Sequence, residues 1–112
     1  MTASTASANL VIRDTDTIQA AMVAIDKNSH RSVVVVNDAN VVVGTVSDGD
    51  IRRALLDGRV PTTPVHRVMN ADFVAVTDGD VDRAKEIFSQ SQVFIIPVID
   101  EHGKLVRVLT SY

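Results

Sequence analysis

The stretch Ser32–Arg53, SVVVVNDANVVVGTVSDGDIRR, decides the fold of this 112-residue chain. It contains two predicted strands, Ser32–Val36 and Val41–Val46, joined by a four-residue turn rich in Asn and Asp. The valine runs do not alternate with polar residues, which predicts strands buried on both faces. Ser47–Asp50 then opens a predicted helix that ends at Gly58, a residue suited to a helix C-terminus.

The composition agrees with sheets covered by helices, that is, a mixed α/β fold. The chain contains twenty valines but only one Tyr, three Phe and no Trp. Valine packs well on the pleated surface of a sheet. The net charge of −3 gives no bulk attraction to nucleic acid or to an anionic membrane. No apolar run approaches the length of a membrane span. The absence of cysteine excludes disulfides and thiolate chemistry and fits a cytoplasmic location.

The second half of the chain repeats the first at a spacing of 63 residues. Leu10–Ile12 aligns with Phe73–Ala75, and the hairpin strand Val33–Val36 aligns with Ile96–Ile99. Each half predicts the order β-α-β-β-α, and neither half is large enough to bury a core alone. We therefore expect two repeats related by pseudo-twofold symmetry. The predicted boundaries are a disordered N-terminus at 1–8, repeat 1 at 9–58, a linker at 59–64 and repeat 2 at 65–112.

The second repeat is incomplete in this sequence. It stops at Tyr112, directly after the predicted strand Leu105–Leu109, where the first repeat continues into its final helix. This leaves apolar sheet surface without its usual cover. Two explanations remain open: the chain belongs to something longer, or a second chain supplies the cover.

Two motifs resemble a known family. Gly44–Asp50, GTVSDGD, has the form Gly-x-x-Ser/Thr-x-x-Asp, and the strand before Asp100 carries a proline, Pro97. Over residues 9–112 the chain resembles a tandem pair of cystathionine β-synthase (CBS) domains, also called a Bateman module. The stretches Ser47–Leu56 and Pro64–Asn70 are most similar to CBS pairs attached to sugar-phosphate nucleotidyltransferases and isomerases.

The resemblance implies a regulatory module and not an enzyme, with no catalytic residues, metal or cofactor. Its implied ligand is an adenosine-type nucleotide, such as AMP, ADP, ATP or S-adenosylmethionine, bound in a cleft between the repeats. Binding would modulate a linked or partner protein, here an enzyme of sugar-nucleotide metabolism. The family also implies a homodimer formed by the helices of two modules.

The resemblance also implies the residues of two clefts. In the first, Asp50 would hold ribose hydroxyls and Ser47 a phosphate or ribose, with Thr45 from the same motif. The residues facing them would be Asp72, Phe73, Val93, Phe94 and Ile95. In the second cleft, Thr110 would face Ser29, His30, Arg31 and Ser32.

Physical chemistry leaves alternatives open at these positions. Ser47-x-x-Asp50 ahead of an apolar residue is also a capping box, and one pair could serve both purposes. Arg52 and Arg53 either reach an anionic ligand or form a solvated helix face. In the second cleft no residue matches Asp50, and Arg107 replaces Gly44. That arginine would either contact a phosphate or fill the cleft with its bulk.

Two further functions remain as alternatives. The chain could be an interaction or oligomerisation module without a ligand, or the regulatory fragment of a sugar-nucleotide nucleotidyltransferase. His66 and His102 show no metal-ligand spacing, and no nucleophile–base set is visible, so neither a metal site nor autonomous catalysis is expected.

Overall fold

The computed structural model describes residues 2–4 and 9–111. The strands are β1 (Thr2–Ser4), β2 (Val11–Arg13), β3 (Ser32–Val36), β4 (Val42–Ser47), β5 (Val76–Thr77), β6 (Ile95–Ile99) and β7 (Leu105–Thr110); the helices are α1 (Ile18–Asn28), α2 (Asp48–Leu56) and α3 (Val81–Gln90). Short 3₁₀ turns occupy Val65–Arg67 and Asp78–Asp80. One sheet has the order β2-β3-β4 and the other β1-β7-β6-β5. The predicted mixed α/β fold is confirmed.

The two hairpins repeat each other residue for residue. β6 and β7 begin and end 63 positions after β3 and β4. The register repeats too, since Ser32 pairs with Ser47 and Ile95 pairs with Thr110. Even the bulge recurs, after Val35 in one hairpin and after Val98 in the other. The predicted internal repeat is therefore present in the backbone as well as in the sequence.

The hairpins meet at their turns across a pseudo-twofold axis. The amide of Val42 donates to the carbonyl of Gly103, and the amide of Leu105 donates to the carbonyl of Asn40, each at 3.0 Å. These two bonds are related by the 63-residue spacing. Asn40 (φ 62°) and Gly103 (φ 79°) both adopt the left-handed conformation that the tight turns require. The turns thus form both the hairpins and the junction between repeats.

Strand β3 is buried along its whole length and separates two cores. Val33 and Val35 pack in the core beneath α1 and α2. Val34 and Val36 point the other way, into a central cluster shared with residues of the second repeat. This explains the unbroken valine run, because each face of the strand has its own apolar neighbours. A third cluster lies between α3 and the second sheet.

The first strand of repeat 2 differs from the prediction. We expected Phe73–Ala75 to be a strand, but only Val76–Thr77 pairs with β6. In repeat 1 the amide of Val34 donates to the carbonyl of Leu10 at 2.9 Å. The residue equivalent to Val34 is Pro97, which has no N–H and cannot make this bond. The pairing between β5 and β6 therefore starts later and shifts by one residue. Val76 lies opposite Val98, as Ile12 lies opposite Val35 in repeat 1.

The N-terminal prediction is wrong for three residues. Residues 1–8 were expected to be disordered, yet Thr2–Ser4 pairs antiparallel with β7, with Ser4 opposite Val108. The strand covers an edge that would otherwise expose unpaired amides and carbonyls. In repeat 1 the equivalent edge residue, Thr45, exchanges hydrogen bonds with Asn70 (2.8 and 3.1 Å). Residues 1 and 5–8 lie outside the described residues.

No helix in the described ranges is both long and apolar enough to cross a membrane. Within the same ranges, no helix follows β7. The exposed face of this strand carries Val106, which is 40% exposed.

Close packing around Gly44 leads to a testable prediction. A Cβ there would lie 2.7 Å from the Met69 sulfur and 3.1 Å from the carbonyl oxygen of Asn70. Gly44→Ala should lower the free energy of unfolding by about 1–3 kcal/mol, since the Asn70 backbone cannot easily move. Urea unfolding measures the change.

Gly79→Ala is the control, because nothing lies within 4 Å of a Cβ at that position. Equal stability of the two variants would contradict the close packing of the 65–70 segment on β4.

Asp100 leads to a second prediction, on pH dependence. Its carboxylate accepts the backbone amides of Lys104 (2.9 Å) and His102 (2.8 Å) in the β6–β7 turn. These hydrogen bonds, with Lys104 contributing most, hold the pKa of Asp100 below its usual range. A carboxylate whose pKa is lower in the folded state stabilises the fold above its unfolded pKa, and this contribution disappears as the pH falls through the folded value.

The equivalent turn of repeat 1 uses Asn37, whose side-chain oxygen accepts the amides of Ala39 and Val41 at 3.0 Å. Asp100→Asn should therefore keep the turn and remove its acid sensitivity. We expect the melting temperature of the wild type to fall more steeply than that of Asp100→Asn on acidification below the usual pKa range of aspartate. Parallel melting curves across that range would contradict the prediction.

Candidate functional site

A cleft of about 480 Å³ opens between the start of α2 and the segment that leads into β6. The wall from repeat 1 contains the end of β4 and the first turns of α2, and the opposite wall comes from residues 92–95 of repeat 2. Of the residues predicted for the first cleft, Thr45, Ser47, Asp50, Val93, Phe94 and Ile95 line it. Pockets of this size suit small-molecule ligands.

Ser47 and Asp50 form a complete capping box at the start of α2. The Ser47 hydroxyl accepts the amide of Asp50 at 3.1 Å, and the Asp50 carboxylate accepts the amide of Ser47 at 2.9 Å. The other Asp50 oxygen pairs with Arg53 at 2.7 Å. The capping interpretation thus describes this structure, and it holds the Asp50 carboxylate, 19% exposed, in the wall of the cleft.

Arg31 lies at the boundary of the cleft. Its guanidinium carbon is 5.3 Å from the centre of the Phe94 ring, a cation–π contact. Arg31 and Phe94 are 63 residues apart, so this contact crosses the pseudo-twofold axis. The Arg31 backbone is left-handed (φ 66°), and its carbonyl accepts the amide of Asp48 at 2.9 Å. A non-glycine residue in this conformation costs stability, and such strain concentrates at functional sites.

Two residues predicted for the first cleft do not line it. Phe73 packs on the central cluster between the repeats, beside residues such as Leu10. Asp72 is exposed, and its amide donates to the Asn70 side chain at 3.0 Å. The cleft instead receives Asn70 from this segment. The reason is the missing first half of the predicted strand, which leaves residues 72–75 outside the sheet.

The residues predicted for the second cleft lie at the cleft just described, at the end of α1 and at the end of β7. Arg31 and Ser32 line the first cleft, whereas Ser29 lines a groove between α1 and α2. His30 lies at the C-terminal end of α1, where its amide donates to the Asn28 side chain at 2.6 Å. Thr110 is 2% exposed at the end of β7.

Arg107 makes an ion pair with the 3₁₀ turn that precedes α3. Its guanidinium pairs with Asp78 at 2.5 Å, and its neighbour across the strands is Val98, whose side chain belongs to the α3 core. The two alternatives for Arg107, a phosphate contact or bulk in the second cleft, stay predictions.

Several cleft residues have no strong sequence signal. Asn70 and Gln92 line the cleft, but neither belongs to the motif. Asn70 arrives there through its backbone bonds to Thr45, which leave no pattern in residue type. Arg52 and Arg53 line the cleft and are also exposed, so contact with an anionic ligand and a solvated helix face both stay open for them. Within the described part of the chain, no group of His, Asp and Glu is arranged to hold a metal ion.

The duplicated hairpins and the junction on a pseudo-twofold axis define a tandem pair of structurally equivalent α/β repeats with a cleft between them. The family model of the CBS domain matches residues 6–57 and again residues 65–112. The chain therefore belongs to the CBS domain family.

Relatives and solved structures agree with this assignment. Arabinose 5-phosphate isomerase GutQ of Escherichia coli O6:H1 is 34% identical over 96 residues, covering 85% of this chain and 30% of the relative. The chain thus spans about a third of the length of the curated relatives it matches.

The solved structures show the fold. A putative acetoin utilization protein (AcuB) from Vibrio cholerae has a TM-score of 0.80 at 23% identity, covering 96% of this chain and 79% of that one. The CBS domain protein PAE2072 from Pyrobaculum aerophilum, complexed with AMP, has a TM-score of 0.78 at 24% identity, covering 98% and 82%.

Proposed function

We propose that this CBS pair is a regulatory module that binds an adenosine-type nucleotide, AMP, ADP, ATP or S-adenosylmethionine, in the cleft between its repeats. The single observation that carries the proposal is the position of Asp50. Its carboxylate lies in the wall of a 480 Å³ cleft, at the start of α2 and opposite the apolar residues Val93, Phe94 and Ile95.

The cleft offers suitable residues for each part of an adenosine-type nucleotide. An ionised carboxylate accepts hydrogen bonds from two vicinal hydroxyls, which suits Asp50 to the ribose. Apolar side chains opposite it suit a purine face, and Val93 and Phe94 are half-buried there. The first turn of α2 lines the cleft, and the partial positive charge at a helix N-terminus favours a phosphate. Arg31 and Arg52 add positive charge to the same wall.

Structural relatives support the choice of ligand. The structures of PAE2072 and of CBSX2 are both described as complexes with AMP, and CBSX2 has a TM-score of 0.75 at 23% identity over 96% of this chain. These likenesses concern the fold, so the ligand of this chain rests on its own cleft.

The regulatory output follows from the two-repeat design. A ligand that contacts both walls favours one relative orientation of the repeats, and this can bias a linked domain or a partner. The likeness to GutQ favours an enzyme of sugar-phosphate or sugar-nucleotide metabolism as that target. We place the module in the cytoplasm, as the lack of cysteine suggests, and assign it no catalytic activity of its own.

Replacing Asp50 tests the ligand directly. Asp50→Asn should weaken AMP binding by about tenfold to a hundredfold, because a hydrogen bond to a charged group contributes about 1.5–3 kcal/mol. Isothermal titration calorimetry at constant salt measures the change.

Thr17→Ala is the matched control for loss of a helix cap. Thr17 caps α1 through a bond from the Ala20 amide at 3.1 Å, away from the cleft. The Thr17→Ala variant should lose about 1 kcal/mol in the free energy of unfolding and keep the wild-type affinity for AMP. Failure of the wild type to bind any adenosine nucleotide would instead favour the alternative, an interaction module without a ligand.

We also propose a homodimer formed through the helices of repeat 1. A groove of about 1100 Å³ lies between α1 and α2. Its apolar residues include Met22 (43% exposed), Val23 (47%), Leu55 (37%) and Leu56 (78%). A second copy that packs on this groove would remove these exposed apolar side chains from water.

Leu56→Glu should convert the dimer to a monomer, since the new charge would have to be desolvated at the contact. Analytical ultracentrifugation measures the mass. Val60→Glu, at an exposed site outside the groove, is the control and should leave the mass unchanged. A wild type that stays monomeric at high concentration would contradict the proposal.

A further inference from the structure

A smaller cavity adjoins the cleft on the far side of the Asp50–Arg53 ion pair. Its volume is about 240 Å³, and both members of the pair line it as well as the cleft. The rest of its lining comes from the end of α2, the linker and the 3₁₀ turn that follows: Ala54, Asp57, Arg59, Arg67 and Val68. We call it the side cavity.

The backbone at Arg59 and Arg67, two arginines of the side cavity, is held in a defined conformation. The amide of Arg59 donates to the carbonyl of Ala54 at 3.0 Å, and Gly58 (φ 93°) donates to Leu55 at 3.1 Å. Together these bonds form a Schellman motif, which fixes the direction of the chain after α2. Arg67 ends the 3₁₀ turn that begins at Val65, a residue with no exposed surface. Only the arginine side chains have to adjust to a ligand.

The guanidinium groups of Arg59 and Arg67 make no ion pair with any residue in the described ranges. Arg53 is already paired, but Arg59 and Arg67 have their full donor capacity available. Guanidinium groups that converge on one concave surface are suited to phosphate oxygens, which they can bind in bidentate fashion.

The distribution of charged residues over the molecule also favours an anion in this region. Five of the eleven basic residues line the cleft or the side cavity, against three of the fourteen acidic ones. The basic residues are Arg31, Arg52, Arg53, Arg59 and Arg67, and the acidic ones are Asp48, Asp50 and Asp57. A chain of net charge −3 thus has an excess of basic over acidic residues around these two cavities. Such a surface attracts anions.

We propose that the side cavity binds a second phosphate of the nucleotide held in the cleft, through Arg59 and Arg67. The module would then prefer a nucleoside diphosphate or triphosphate to a monophosphate. The proposal rests on the function proposed above and names the ligand class more closely. Asp50 and Arg53 line both cavities, so the ribose position in the cleft and the phosphate position in the side cavity are adjacent.

Paired titrations with AMP and ADP test the proposal, with the full chain at fixed ionic strength. The wild type should bind ADP more tightly than AMP. In the double variant Arg59→Gln/Arg67→Gln, ADP affinity should fall roughly tenfold, the loss expected for charge-assisted hydrogen bonds. AMP affinity should stay within about twofold, because AMP does not reach the side cavity.

Arg83→Gln is the matched control, since Arg83 is an exposed arginine on α3 that faces Asp80 at 3.9 Å. It should change neither affinity. Unchanged ADP affinity in the double variant, or equal losses for AMP and ADP, would overturn the proposal. Melting curves of all variants without nucleotide establish that they fold.

Inorganic pyrophosphate separates this proposal from the proposed function. If the wild type binds neither nucleotide, the nucleotide function fails. A rise in the wild-type melting temperature with pyrophosphate that is lost in the double variant would still support an anion site at Arg59 and Arg67. No shift in the wild type with pyrophosphate, together with no nucleotide binding, would overturn both.

Discussion

Two backbone hydrogen bonds between hairpin turns determine how the rest of this molecule is arranged. They run from Val42 to Gly103 and from Leu105 to Asn40, and they fix the pseudo-twofold axis on which the repeats meet. The central cluster forms around the same axis, where Val42 and Leu105 pack together with Val34 and Val36. Because the axis also brings Arg31 against Phe94, the wall of the cleft is set by the same junction.

Helix α2 connects the cleft to the surfaces around it. Its first turn, with Asp48 and Asp50, lies in the cleft, and its last turn exposes Leu55 and Leu56 in the α1–α2 groove. Arg52 lines both spaces. The nine residues of α2 therefore join the cleft to the α1–α2 groove within one continuous helix. The capping box stabilises the start of this helix, and it includes the Asp50 carboxylate that we propose as the ribose contact.

The sequence predicted the parts of the fold that depend on residue type and spacing. Non-alternating valines indicated β3 between two cores, and the 63-residue spacing predicted the second hairpin, whose bounds match those of the first. Six residues predicted for the first cleft line it for the same reason, since they belong to the motif or to the repeat. Phe73 was misplaced because a single missing N–H, at Pro97, shortens its strand.

Other features depend on tertiary contacts that leave no local pattern. Thr2–Ser4 forms a strand because β7 has a free edge, not because the three small residues Thr, Ala and Ser favour one. Arg31 was predicted for the second cleft by analogy of position, but the junction on the axis places its side chain at the first. The convergence of Arg59 and Arg67 requires both the turn at Gly58 and the 3₁₀ turn after the linker. Residues that are positioned by tertiary contacts can be identified only from the folded structure.

The matched turns have a consequence for the origin of the molecule. An isolated first half would expose the carbonyl of Asn40 and the amide of Val42, together with the apolar side chains around them. A second identical half could satisfy both groups by making the same two bonds reciprocally, with true instead of approximate symmetry. The present chain therefore has the form of such a dimer with its two halves joined in one polypeptide.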